Sequence, residues 1–433
     1  MKSLKPGLVI ILLTFITGMM VQTVLAQEED FEEPEQVTCT PETLTTVYDQ
    51  QKVAHLDPQQ LGIWYNYARE YYKLAKYGDN PENYKDAIPY YWKVIVNDSL
   101  GTFKIAYSKL VDCYLHFNYS DSALIVITRG LQRFPNYTTL HYQAAQIQQT
   151  LGRPRCAIPH YEALIAAQPK DPKVLKNYWS VLAQLYFQVN DERAVDAQQK
   201  VVELDPKDVE AQTLLAHMMD AFGMNSLEAL EKAFLLDTTN VSNARLFGKA
   251  AFEANQYKKA IRAFRAIVVQ DPKNVEAMSY IARSYEGLEQ HRKAIREYKK
   301  ILKVAPKSLN TLCSLADAYS RLNDFTTARS YVRKALNINS HYGLAYMVMG
   351  SIYENAVSYC SGKRGKPGYT YDDKLVFERA IAEYQKAVKR DPNVASSARN
   401  RIKMLEPFKR TQEEIFLHNN RQKLTDPCYK WIQ

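Results

Sequence analysis

Apolar residues recur along most of this chain at spacings of three and four, with small residues at fixed places among them. Trp64, the pair Tyr67–Ala68 and Tyr71 follow one such pattern. Trp179, Leu182–Ala183 and Tyr186 repeat it, as do Leu312, Leu315–Ala316 and Tyr319. This spacing places the apolar side chains on one face of an amphipathic helix. A short polar turn follows, then a second pattern: Ala87, Tyr91 and Val94, or Ala294, Tyr298 and Ile301. That second run often closes on Asp-Pro or a lone Pro, where a helix stops. The chain therefore predicts a series of helical hairpins.

The hairpins recur at a fixed interval. Ala260, Ala294 and Ala328 are spaced by 34 residues, as are Pro272 and Pro306, Pro135 and Pro169, and Ala123 and Ala157. A period of this length marks a stack of identical supersecondary units. The large–apolar–small–aromatic first helix and the Ala–aromatic–apolar–Pro second helix resemble the tetratricopeptide repeat. In that family the small residues sit where paired helices cross and the proline ends the second helix. Nine units follow, at about 61–99, 104–135, 138–169, 176–206, 209–238, 241–272, 275–306, 309–340 and 343–392. The fifth is short and has Ser226 where Ala is expected, and the first carries a loop insertion around Gly78–Asn83. Ala395 to Leu405 reads as an unpaired capping helix, and residues 41–60 are expected to hold an N-terminal cap. The resemblance implies an all-α fold, a right-handed superhelical solenoid whose first helices line a concave, partner-binding groove.

Composition changes this picture little. Only 15 glycines and as many as 31 tyrosines occur in 433 residues, which suits helices with aromatic cores. The formal net charge is +9; spread over the chain this is mild and does not point to nucleic acid. The N-terminus adds a compartment. Lys2 and Lys5, the apolar run Leu8–Met20 and the small-residue site Val24-Leu25-Ala26 read as an export signal over residues 1–26. An uncleaved membrane anchor is the alternative. Residues 27–40 then form an acidic, core-free linker. Export, periplasmic or extracellular, puts the six cysteines in a disulfide-permissive setting.

Candidate chemistry is sparse. The chain has no HExxH, G-x-S-x-G, Walker or Rossmann signature and no CxxC, so no catalytic residue, cofactor or metal is called for. Attention moves to the groove. The helix faces not consumed by packing carry Tyr65, Arg69 and Tyr72, then Asp112, Tyr142 and Gln146, then Gln184, Phe187 and His217. Arg245, Lys249, Arg283 and Asp317 follow. The aromatic and amide-rich first half suits an extended or helical peptide. The basic cluster Arg245, Lys249 and Arg283 suits a carboxylate or acidic segment. The expected function is a non-catalytic, exported scaffold for a protein or peptide partner. The alternative is an accessory component of an envelope assembly or secretion machine, tethered to the membrane if the N-terminal segment is retained.

One stretch resists the register. Between Ala328 and Ala380, 52 residues replace the usual 34, and the excess, at about 356–373, contains CSGKRGKPGY. Its Gly362-Lys-Arg-Gly365 matches a nucleic-acid-clamping GxxG only superficially, without the mixed α/β context such a loop needs. It reads as a surface loop. The tail after residue 405 holds Phe408, Ile415, Phe416, Trp431 and Ile432 without a repeat to contain them. It is expected to fold back on the last repeats with Cys360 bonded to Cys428, and Cys113 with Cys156 is a second candidate pair.

Overall fold

The structure is a computed structural model that describes residues 38–432 except Lys366. Residues 1–26, read above as an export signal, and most of the acidic linker lie outside the described residues. Nine helical pairs follow one another. α1 (Pro58–Tyr77) pairs with α2 (Asn83–Asn97), α3 (Ile105–His116) with α4 (Ser120–Arg133), and α5 (Thr138–Thr150) with α6 (Pro154–Ala166). α7 (Pro172–Gln188) pairs with α8 (Arg193–Leu204), α9 (Val209–Ala221) with α10 (Leu227–Leu236), and α11 (Val241–Glu253) with α12 (Tyr257–Gln270). Next come α13 (Val275–Gly287) with α14 (His291–Val304), α15 (Leu309–Arg321) with α16 (Phe325–Ile338), and α17 (Gly343–Arg364) with α18 (Tyr371–Arg390). The unpaired α19 (Pro392–Leu405) closes the stack, and a short α20 (Gln412–Leu417) lies in the tail. No strand occurs among the described residues.

Local chemistry sets the start and the turn of each pair. Side chains of Asp57, Asp171, Asp208, Asn240, Asn274 and Ser308 accept backbone N–H bonds at the heads of first helices, satisfying donors the helix leaves unpaired. The turn between paired helices passes through a left-handed residue in seven successive units, from the second to the eighth. These are Asn118, Gly152, Asn190, Gly223, Asn255, Glu289 and Asn323. Most are the two residue types that take positive φ at low cost.

The helices of each pair cross on small residues. Ala68, Ala145, Ala183, Ala216, Ala282 and Ala316 on first helices are fully buried. So are Ala87, Ala123, Ala157, Ala194, Ala260, Ala294, Ala328 and Ala380 on second helices. Where glycine replaces alanine, the space is smaller still. A Cβ on Gly350 would lie 2.5 Å from the Tyr384 ring, and one on Gly248 2.9 Å from that of Phe264. In the fifth unit Ser226 is not at the crossing: it precedes α10, and Ala229 is buried one turn further on. Successive pairs stack in chain order into the solenoid. First helices also touch the first helix of the next unit, as α1 with α3 and α15 with α17, which places them on the inner, concave side.

Both ends depart from the expected course. Residues 41–60 do not form a capping helix. They contain a single 3₁₀ turn, Val47–Gln51, before α1 begins, because the segment is held by side chains of the outer helices. Tyr48 stacks on Trp92 at 5.4 Å, and Arg129 forms a forked ion pair with Asp49 at 2.8 and 3.1 Å. Asn97 bonds the backbone at Val53 and Gln51. Cys39 is disulfide-bonded to Cys156, so the segment is a strap running back from the third unit to the first. Cys156 is therefore not the partner of Cys113, which is a buried free thiol.

At the other end, the insertion is mostly helix. It lengthens α17 to Arg364 and starts α18 at Tyr371, leaving only a short turn through Gly365, which is left-handed. Thr370 is the N-cap of α18, with Asp373 closing a capping box. Cys360 is bonded to Cys428. Trp431 stacks on Phe325 and Tyr353 at 5.4 and 5.7 Å, and the buried Tyr429 donates to Asp373. Arg364 bridges Asp373 and Asp426, and Asp372 accepts the N–H groups of Thr425 and Asp426. Phe416 does not join this packing and is 82% exposed.

Because each unit touches only its neighbours, damage to this clasp should stay local. Cys428→Ser is expected to cost about 2–4 kcal/mol. Hydrogen exchange should speed up in α17, α18 and the tail and stay unchanged in α1–α6. An even loss of protection along the chain would contradict this.

Candidate functional site

On the concave face, the groove candidates of α5, α9, α11, α13 and α15 fall at the fifth and ninth positions of the first helix; in α1, α3 and α7 they are offset from that register. In the first three units this face is largely bonded to itself. Tyr72 is buried and donates to Asp112 at 2.8 Å. Asp112 also receives Lys109 at 3.3 Å and Gln143 at 2.7 Å. Burial and the Asp112 carboxylate push the Tyr72 phenol far up. Tyr65 is half-buried against Phe103. Gln146 and Gln149 both bond the Tyr161 hydroxyl. What remains exposed is Arg69, Tyr142 and Gln146, then Gln184, Phe187 and His217 in the fourth and fifth units. Phe187 meets Phe222 edge-on at 5.8 Å.

Units six to eight differ. Lys249 pairs with Glu276 at 2.9 Å and Arg245 reaches the same carboxylate at 3.6 Å. The Arg283 guanidinium lies over Phe252 at 4.7 Å and Tyr280 at 5.5 Å. Lys249 also approaches the Tyr280 ring, so two cations share one aromatic shelf and Arg245 joins them through Glu276. Arg283 is exposed and Arg245 and Lys249 are partly exposed, and a guanidinium on an aromatic face keeps N–H donors free. Deeper, Glu286 accepts the Tyr298 hydroxyl at 2.9 Å, and Asp317 pairs with Arg321 at 2.8 Å. Burial pushes the Glu286 carboxyl up to about 7, with Asp317 adding to the rise and Arg321 and Arg283 opposing it. Cys313 also falls on this face but is buried, its thiol pushed up to about 12, and so is unreactive.

Family models described as tetratricopeptide repeat match residues 251–309 and 309–342, a stretch that includes Phe252, Tyr280 and Arg283 of this floor. This is a tetratricopeptide-repeat protein. Its architecture is of the protein-interaction scaffold type, and no curated sequence matches it. Similar solved structures include a MamA protein, 24% identical, covering 38% of this chain and 92% of that one at a TM-score of 0.32. YrrB, described as a tetratricopeptide-repeat protein with an unusual peptide-binding site, is 16% identical and covers 48% and 99% at 0.33. A repeat protein from Parabacteroides merdae is 14% identical and covers 62% and 98% at 0.32.

The structure thus separates the predicted groove residues into two groups. Arg245 and Lys249 meet on Glu276, Lys249 and Arg283 meet on the Tyr280 ring, and Asp317 lies near enough to Glu286 to raise its pKa. Tyr72 is buried rather than available, and Asp112 is occupied by three internal donors, because the first units bond their groove face across neighbouring helices. Glu276, Phe252, Tyr280 and Glu286 were not singled out by sequence. The first three follow from the same helical register; the buried state of Glu286 depends on Tyr298 from another helix. A cavity of about 680 Å³ between the strap and the turn after α2 lies far from this floor and is lined by Val53, Leu56, Leu61 and Phe103 among others. No group of three or more potential metal ligands occurs among the described residues.

Glu286 gives a pH signature. Its folded pKa, about 7, lies above its ordinary 4.5, so between these values the folded state holds a proton the unfolded state has lost. Stability should therefore fall as pH rises through this window. Glu286→Gln should match wild type near pH 4.5 and melt higher than wild type at pH 8. A difference in Tm that does not vary with pH would contradict the assignment.

Proposed function

We propose that this protein is an exported, non-catalytic scaffold that holds an extended or helical segment of a partner protein in its concave groove. The observation that carries the reading is the shelf in units six to eight. Arg283 lies over Phe252 and Tyr280, Lys249 approaches Tyr280, and Arg245 joins Lys249 on the Glu276 carboxylate. Such a floor fits a segment that brings an acidic group or terminal carboxylate next to an apolar or aromatic anchor. The cations supply charge-assisted hydrogen bonds and the rings a desolvated surface. Exposed Phe187 and Tyr142, 41% and 44% accessible, extend the anchoring surface toward the N-terminal units. The two disulfides, one at each end of the solenoid, support export to an oxidising compartment.

Changing Arg245, Lys249 and Arg283 together to Ser removes three partly or fully exposed side chains and a surface ion pair with Glu276, which is worth little to stability. Helicity should stay at the wild-type level. Recovery of an anionic partner in a pull-down should fall at least about tenfold, since a hydrogen bond to a charged group is worth about 1.5–3 kcal/mol. Unchanged recovery would sink the proposed site.

A further inference from the structure

The net charge of the molecule is not spread along it. The second helices α12, α14 and α16 carry thirteen Lys and Arg against a single acid, Glu297, a formal charge of +12. The whole chain carries +9, so the rest of the molecule is slightly acidic. The contrast is sharp between units. α10 and α18 on either side are close to neutral, and so are the first helices α11, α13 and α15 of the same units. The excess therefore lies on the outer, convex face of units six to eight, behind the groove.

These cations face solvent. Eleven of the thirteen are exposed, and Lys259 and Arg329 are half-buried. Among the described residues only Lys259, on Glu231, and Lys300, on Glu297, have a carboxylate within ion-pair distance. Exposed aliphatic residues continue the same stripes. Lys258, Arg262, Arg265 and Val269 succeed one another at spacings of four, three and four, and Val269 is 81% exposed. Val304 lies one turn beyond Lys300 and Ile338 one turn beyond Lys334, at 40% and 44% exposure. Holding so many like charges together costs stability, and acidic partners within the described residues offset only two of the thirteen.

We propose that this convex face docks on a lipid bilayer rich in anionic headgroups. Lys and Arg would meet the headgroups, with Val269, Val304 and Ile338 at the boundary of the acyl chains. Basic side chains interleaved with exposed aliphatics are what an interfacial surface needs, and each cation near an anionic leaflet adds to the attraction. A single-stranded nucleic acid would instead call for a groove with exposed rings for stacking; this face is convex and its exposed apolar residues are aliphatic. The groove would then open away from the membrane, free to hold its partner. The inference does not depend on what that partner is.

The test uses the full chain carrying Val304→Cys labelled with an environment-sensitive fluorophore. Labelling is selective because Cys113 and Cys313 are buried and the other four cysteines are bonded in pairs. Val269→Cys serves as a second position. The label reads this face directly, whatever the N-terminal segment does. With vesicles of phosphatidylcholine containing about 30% phosphatidylglycerol at low salt, the emission should shift to the blue and gain severalfold. It should not respond to phosphatidylcholine alone, and the response should vanish near 0.5 M salt. Changing Lys258, Arg262, Arg292, Arg296, Lys299 and Lys303 together to Gln should weaken vesicle affinity at least about tenfold with helicity unchanged. An equal response to neutral vesicles, no response to anionic ones, or one that survives the six changes would overturn the proposal. So would binding of heparin in solution without any vesicle response, which would assign the face to a soluble polyanion.

Discussion

The close approach of two small side chains where paired helices cross governs the rest of this molecule. With Ala at nearly every crossing, each hairpin closes to the same spacing, and identical hairpins can stack only into a regular superhelix. Interiors are packed to crystal-like density, so a larger residue there would splay the pair. The change would propagate to the groove, whose shape is the sum of many identical crossings. Gly248 and Gly350 show how little room exists, since even a methyl group would meet an aromatic ring. The groove and the outer face are thus two consequences of one contact.

A stack of identical units has a problem at its ends, where a face made for packing meets water. The molecule handles its two ends with the same device. At the N-terminal end a strap crosses the outer helices of three units and is fastened by Cys39–Cys156. At the C-terminal end the lengthened α17 and α18 receive the tail, fastened by Cys360–Cys428. Units two to eight all turn through a left-handed residue between their paired helices. The stretch CSGKRGKPGY belongs to this scheme: Cys360 and Arg364 hold the tail, and only its final residues form a turn.

The fold was legible in the sequence because the 34-residue period, the alanine columns and the closing prolines all report one local geometry. What escaped is what depends on distance. The bond between Cys39 and Cys156 spans 117 residues, and the strap has neither period nor helical pattern to announce it. The insertion was read as a loop because three glycines suggest a turn, yet Gly362 lies within α17, where tertiary packing outweighs its weak helix propensity. At the groove, register placed Arg245, Lys249 and Arg283 on one face, but could not show that Asp112 and Tyr72 are bonded to neighbours. The charge on the outer face was present in the residue counts all along. Averaging it over the chain made it look mild, and assigning it helix by helix reveals its concentration.

The central claim is that the inner face, and not the outer, holds the partner protein. Photo-crosslinking in the cells that make the protein tests it most directly. A crosslinking side chain would be placed singly at Gln184, His217 and Arg283 in the groove, and at Glu228 and Lys200 on outer helices. The account predicts one protein adduct common to the three groove positions and absent from the outer two. Adducts from the outer positions with none from the groove would contradict it.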